Sequence, residues 1–189
     1  MECVILAAGS SSRLGMDKAL VDVGSQTLIS WISRRLSSRV ANITIVANES
    51  NFAEISKIVS DVNVILNRNP HEGRTGSLKV GIDSIDSSRV KDYRLLVVPV
   101  DRPGFSDSTL DHLICSEETC CPVKEGRGGH PLVLTFEDVD KVRKSSANSP
   151  LREVIEASRF EVLDRFLELN IDTPEDIINL QEKLQLVNE

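Results

Sequence analysis

Aromatic side chains are scarce in this chain, with one Trp, one Tyr and five Phe among 189 residues. Single-stranded nucleic acid is bound by stacking its bases on aromatic platforms, so this composition argues against such a partner. Surplus positive charge is missing too. The formal net charge is −7, which makes a broad footprint on a phosphate backbone an unsuitable reading. No apolar run approaches the roughly 20 residues of a membrane span. The first such run, residues 3–8, is too short for a signal-peptide core and follows an acidic Glu2. Cysteines number four: Cys3, Cys115, Cys120 and Cys121. None stands in a C-x-x-C pair, and the vicinal Cys120-Cys121 suits neither an ordinary disulfide nor a zinc site. They read as reduced thiols, so the expectation is a cytoplasmic protein with no nucleic-acid and no membrane partner.

What is present is ordinary for a globular chain: 40% hydrophobic and 27% charged residues. The length suits one domain over residues 1–189. Helical and strand patterns alternate along it. Residues 3–8 form an apolar run with no polar break, the signature of a strand covered on both faces. Leu28, Ile29, Ile32, Leu36 and Val40 then recur at helical spacing. Strand patterns follow at 43–46, 62–66 and 95–98, with helical stripes at 51–60 and 76–85 between them. This rhythm predicts an α/β fold with three layers, α/β/α and Rossmann-like, around a mostly parallel twisted sheet.

Chemistry concentrates at strand ends. The first strand runs into Gly9-Ser10-Ser11-Ser12-Arg13-Leu14-Gly15, with Lys18 just beyond. Small residues let backbone N–H groups approach phosphate oxygens, and Arg13 and Lys18 add positive charge. Five residues separate Gly9 from Gly15 and Met16 follows, so this is no P-loop, and the G-x-G-x-x-G fingerprint is absent. The apolar strand at 95–98 leads to Pro99-Val100-Asp101-Arg102-Pro103. Open α/β sheets bind ligands beyond the carboxyl ends of their strands, which puts Asp101 on the same rim as the glycine–serine loop. On residues alone, Asp101 serves either a hard cation such as Mg²⁺ or the turn into a helix near Ser106 and Asp107. The polar stretch 67–77 opens a helix, with Gly76 and Ser77 at its start, and helix N-termini offer free N–H groups. Arg74 there is either a phosphate contact or a solvated charge. Gly128-Gly129-His130-Pro131 precedes a strand at 132–134. Pro150 reads as a first-turn proline. A strand is expected to end at Asp172, followed by Thr173 as N-cap, Pro174 as first helical residue and Asp176 at the third position.

These motifs resemble those of the MobA-like nucleotidyltransferases. Residues 6–18 match L-A-A-G-x-x-x-R-x-G-x-x-K, Asp101 stands in D-x-P, Gly129 and His130 stand in G-x-x-G-H-P, and residues 170–176 resemble D-I-D-T-P-E-D with Asn170 in place of the first Asp. The resemblance covers roughly residues 3 to 182 and is nearest the molybdenum cofactor cytidylyltransferases. It implies that Leu6, Ala7, Ala8, Gly9, Ser10, Ser11, Ser12, Arg13 and Lys18 wrap a nucleoside triphosphate, with Asn67, Gly76 and Ser77 beside base and ribose. It implies Mg²⁺ on Asp101 and Asp172, with Arg13 and Lys18 completing the catalytic set. Gly129 and His130 are then expected on the side of a small phosphorylated acceptor, molybdopterin first. Ala8, where guanylyl transferases carry glycine, favours CTP over GTP. The resemblance leaves open a guanylyltransferase, a transferase acting on a sugar, polyol or cobinamide phosphate, and a silent nucleotide-binding module.

Overall fold

The computed structural model describes residues 1–88 and 92–188. In chain order the elements are β1 (Glu2–Ala7), β2 (Asp22–Val23), β3 (Gln26–Thr27), α1 (Leu28–Ser37), β4 (Asn42–Ala47), α2 (Phe52–Ile58), β5 (Asn63–Leu66) and α3 (Gly73–Asp86). They continue with β6 (Leu95–Pro99), α4 (Asp107–Cys115), β7 (Cys120–Lys124), β8 (Arg127–Gly128), β9 (Leu132–Leu134), α5 (Phe136–Lys144), α6 (Leu151–Val154), β10 (Ser158–Glu161), α7 (Pro174–Ile177) and α8 (Leu180–Gln185).

Among the described residues eight strands form one sheet, in the order β10-β7-β9-β6-β1-β4-β5, with β8 paired to β7. β1 lies between β6 and β4, parallel to both, with Ile5 opposite Val98 on one side and Ile45 on the other. β9 runs antiparallel to β6 and β7, so the sheet is mixed but mostly parallel.

Side chains along a strand alternate between faces, and β1 shows what each face meets. Cys3, Ile5 and Ala7 join Ile29, Ile32, Ile55, Leu110 and Leu184, from α1, α2, α4 and α8. Val4 and Leu6 join Leu78, Ile82, Val139 and Val142, from α3 and α5. Helices thus cover both faces, which is why β1 carries no polar residue after Glu2. Gly81 lets α3 settle on β1, since a Cβ there would meet Val4 at 2.9 Å. Among the described residues no helix is long and apolar enough to cross a membrane.

Three local expectations change. No strand leads into Asp172: residues 165–168 form a turn and 169–172 are irregular, with Leu169 N–H donating to Phe166 O. The turn packs onto Gly104, where a Cβ would stand 1.8 Å from Phe166 O. α3 begins at Gly73, a turn earlier than the apolar stripe indicated, because Gly73 and Arg74 extend the helix toward solvent. Pro150 sits just ahead of α6 as its N-cap.

Candidate active site

Beyond the carboxyl ends of β1 and β6, a cavity of about 240 Å³ is lined by residues 6–13, Lys18, Ser77, Asp101 and Asp172. Asp17, Gly73, Arg74, Pro99 and Val100 complete much of its wall. The glycine–serine loop turns tightly, with Leu14 N–H bonded to Ser11 O and with Ser11 and Gly15 in the left-handed region at φ 48° and 75°. Lys18 N–H donates to Ser11 Oγ across the loop at 3.2 Å.

The charged centre joins residues far apart in sequence. Lys18 Nζ donates to Asp172 Oδ1 at 2.8 Å and lies 3.6 Å from Asp101 Oδ2. The two carboxylates are therefore no further apart than those two distances added together. Arg13 Nη1 sits 2.6 Å from the other oxygen, Asp172 Oδ2. The hydrogen bond from Lys18, with the charges of Lys18 and Arg13, holds the Asp172 carboxyl below the usual carboxylate range. A main-chain bond, Ile171 N–H to Asp101 O at 3.0 Å, ties the two acidic segments together. Asp176 sets the backbone of the second one: its Oδ2 accepts from the N–H groups of Asp172 and Thr173 and from Thr173 Oγ1.

Among the described residues no three His, Cys, Asp or Glu side chains gather into a ready-made metal cage. Two carboxylates already sharing one cation nevertheless form a hard-oxygen pair of the kind Mg²⁺ uses, since that ion takes one or two carboxylates and fills its shell with phosphates and water. Asp101 and Asp172 fit the ion on that ground.

Sequence reasoning missed the residues that hold the loop in place. Asn51 is fully buried and donates through Nδ2 to Ala7 O at 2.9 Å and to Asp17 Oδ2 at 2.8 Å. Asn48 N–H donates to Asn51 Oδ1, and Asn48 Nδ2 donates to Gly9 O. Asp17 Oδ1 accepts from Ala19 N–H, while burial raises its pKa. The turn after β4 therefore clamps both ends of the glycine–serine loop. Its only sequence signal was a pair of Asn residues just past a parallel strand.

Two expected nucleotide contacts do not line the cavity. Asn67 is buried and supports Ser77, donating from Nδ2 to Ser77 Oγ at 3.0 Å. Gly76 is also buried, and a Cβ there would meet Glu72 at 2.7 Å. Gly76 is expected at the helix start, and the earlier start of α3 turns it inward; Asn67, in the loop ahead of the helix, turns its amide to Ser77.

Gly129 and His130 line a second, larger cleft of about 1120 Å³, which shares Gly73 and Arg74 with the first. Arg152 and Arg159 stand on its wall. Burial, helped by the charges of Arg74 and Arg102, pushes the His130 imidazole down to about 4, and its Nδ1 is sealed in without a partner. His130 is thus neutral near pH 7.

The family model of the MobA-like NTP transferase domain matches residues 3–162. The chain belongs to that family. A molybdenum cofactor guanylyltransferase of Vibrio atlanticus is 31% identical over 125 residues, covering 65% of this chain and 56% of the relative. The match therefore spans just over half of that protein's length. One from Rhizobium johnstonii is 25% identical over 206 residues, covering 96% and 92%. Among solved structures, Rv0371c from Mycobacterium tuberculosis H37Rv superimposes with a TM-score of 0.80 at 18% identity, covering 96% of each chain. Its manganese complex superimposes with a TM-score of 0.75 at 16% identity, covering 96% of this chain and 97% of that one. The mostly parallel α/β fold is thus that of the family. Both sequence relatives are named for guanylyl transfer, against the preference for CTP read from Ala8.

Proposed function

We propose that residues 1–189 act as one nucleotidyltransferase domain that moves GMP from GTP to a small phosphorylated acceptor, in molybdenum cofactor biosynthesis, with release of pyrophosphate. The observation that carries this reading is the meeting of Lys18 with Asp101 and Asp172, the last of them 154 positions away, beside the glycine–serine loop. The names of the sequence relatives, molybdenum cofactor guanylyltransferases, support GTP as donor and a molybdenum cofactor acceptor.

In the reaction, an acceptor phosphate oxygen attacks the α-phosphorus. A new P–O bond forms, the bond from the α-phosphorus to the β-bridging oxygen breaks, and pyrophosphate departs with that electron pair. The nucleophile is already ionised at neutral pH, so no strong general base is required. The obstacle is charge: two like charges about 4 Å apart repel by roughly 4 kcal/mol at an effective dielectric near 20. Arg13 and Lys18 offset that repulsion, and the backbone of residues 8–12 holds the triphosphate in line. Asp101 and Asp172 would hold a divalent cation, Mg²⁺ by the chemistry of the pair, which when bound neutralises phosphate charge. His130, being neutral, orients the acceptor by hydrogen bonding.

A second reading, cytidylyl transfer from CTP, rests on Ala8, a buried residue on the cavity wall at the position where the resemblance gives guanylyl transferases a glycine. Four nucleoside triphosphates assayed against molybdopterin and against sugar, polyol and cobinamide phosphates, scored by pyrophosphate release, decide between them. Turnover highest with GTP and molybdopterin is expected. Preference for CTP establishes the second reading, and nucleotide binding without turnover on any acceptor refutes both.

A further inference from the structure

We propose that Arg13 is a displaceable occupant of Asp172 Oδ2, so that a nucleoside triphosphate, by drawing Arg13 onto its phosphates, tightens the protein's hold on the divalent cation. The proposal rests on the metal pair assigned above. Both oxygens of Asp172 are taken by the protein's own cations, Oδ1 by Lys18 at 2.8 Å and Oδ2 by Arg13 at 2.6 Å. Lys18 also faces Asp101 at 3.6 Å. Two acids and two bases thus cancel at the head of the cavity. A bare cation arriving there must displace an ammonium or a guanidinium.

The two basic groups are held very differently. The Lys18 side chain is 13% exposed, and its backbone is fixed by Ser11 Oγ and by the neighbouring Asp17–Asn51 clamp. The Arg13 side chain is 74% exposed, on the open side of the loop. An exposed ion pair contributes little, because solvent screens it and a long side chain must be ordered to make it. A triphosphate offers the guanidinium a doubly hydrogen-bonded anionic partner at the same loop, a stronger acceptor than one carboxylate oxygen. Once Arg13 turns to the phosphates, Asp172 Oδ2 is open to the cation that the nucleotide carries. Linkage makes this reciprocal: nucleotide tightens metal binding by the same factor as metal tightens nucleotide binding.

The test is Mn²⁺ binding, followed by the paramagnetic signal of the free ion, for the wild type, Arg13→Gln and Asp172→Asn. Without nucleotide, Arg13→Gln is expected to bind Mn²⁺ about three-fold tighter than the wild type, the scale of losing an exposed competing pair. A non-hydrolysable GTP analogue is expected to tighten Mn²⁺ binding by the wild type, and by a smaller factor for Arg13→Gln. Binding by Arg13→Gln that is no tighter than wild type, or undetectable in both, overturns the proposal. Asp172→Asn separates the two levels. If it loses Mn²⁺ while Arg13→Gln gains nothing, the role of Arg13 fails and the metal pair stands. If it binds Mn²⁺ like the wild type, the metal pair fails and the proposal with it.

Discussion

Replacing His130 by Gln gives a change in stability whose sign and size follow from the structure. In the folded protein the imidazole is pushed from an ordinary 6.5 down to about 4, first by burial and then by the charges of Arg74 and Arg102. In the unfolded chain it titrates normally. Between those two values the unfolded state binds more protons, so stability is complete above the unfolded pKa and drains away as pH falls toward the folded one. At about 1.4 kcal/mol per unit the full loss is about 3 kcal/mol, a large share of a typical domain's stability. Urea unfolding of the wild type and His130→Gln at a series of pH values isolates the effect, because the carboxylates contribute alike to both proteins. By about pH 4.5 the wild type is expected to have lost about 2.5 kcal/mol more than the variant, relative to neutral pH. Parallel stability–pH curves would show that His130 is not held neutral. Its assignment as an uncharged orienting group for the acceptor would fall with that result.

Asp101→Asn and Lys18→Ala are each expected to lower pyrophosphate release by at least about 10²–10³-fold, with unchanged far-ultraviolet circular dichroism. Near-wild-type turnover in either removes the assigned role. Asn51→Ala strips partners from the buried Ala7 carbonyl and Asp17 carboxylate. Thermal melts with and without nucleotide should show a cost of about 2–3 kcal/mol, together with a raised KM for the triphosphate. Gly104→Ala drives a methyl into Phe166 O and is expected to cost about 3 kcal/mol in urea unfolding. Gly9→Ala meets nothing within 4 Å and is expected to change stability by only about 0.5 kcal/mol, while weakening nucleotide binding by blocking close approach to phosphate.

The readable parts of this chain were those whose physics is local. Residues 3–8 announced a doubly covered strand because an unbroken apolar run has no polar face to offer water. Thr173, Pro174 and Asp176 announced a helix start because capping is satisfied within four residues, and Asp176 accepts from Thr173 as expected. The glycine–serine loop was visible from composition alone. By contrast, residues 166–171 are apolar and alternating enough to pass for a strand, and the turn at 165–168 that packs on Gly104 decides otherwise. Gly76 faces inward because the apolar stripe of α3 starts a turn after the helix does, and Asn67 spends its amide on Ser77, a contact that no local pattern announces. The choice of base is no more legible from one position. A single methyl at Ala8 is one wall of a pocket built from several loops, and the relatives' names point to guanine.

From the amino-acid order alone came the alternation of strands and helices, the phosphate-like loop and the acidic residues at two segment ends, because periodicity, turn chemistry and charge are written in neighbouring positions. The tertiary structure alone placed Asp172 against Lys18 and Arg13, and brought Asn51 from the turn after β4 to clamp Ala7 and Asp17. Those contacts join segments tens to more than a hundred residues apart, and only the parallel stacking of β1, β4 and β6 brings their carboxyl ends to one rim. A one-dimensional pattern carries no distance of that kind.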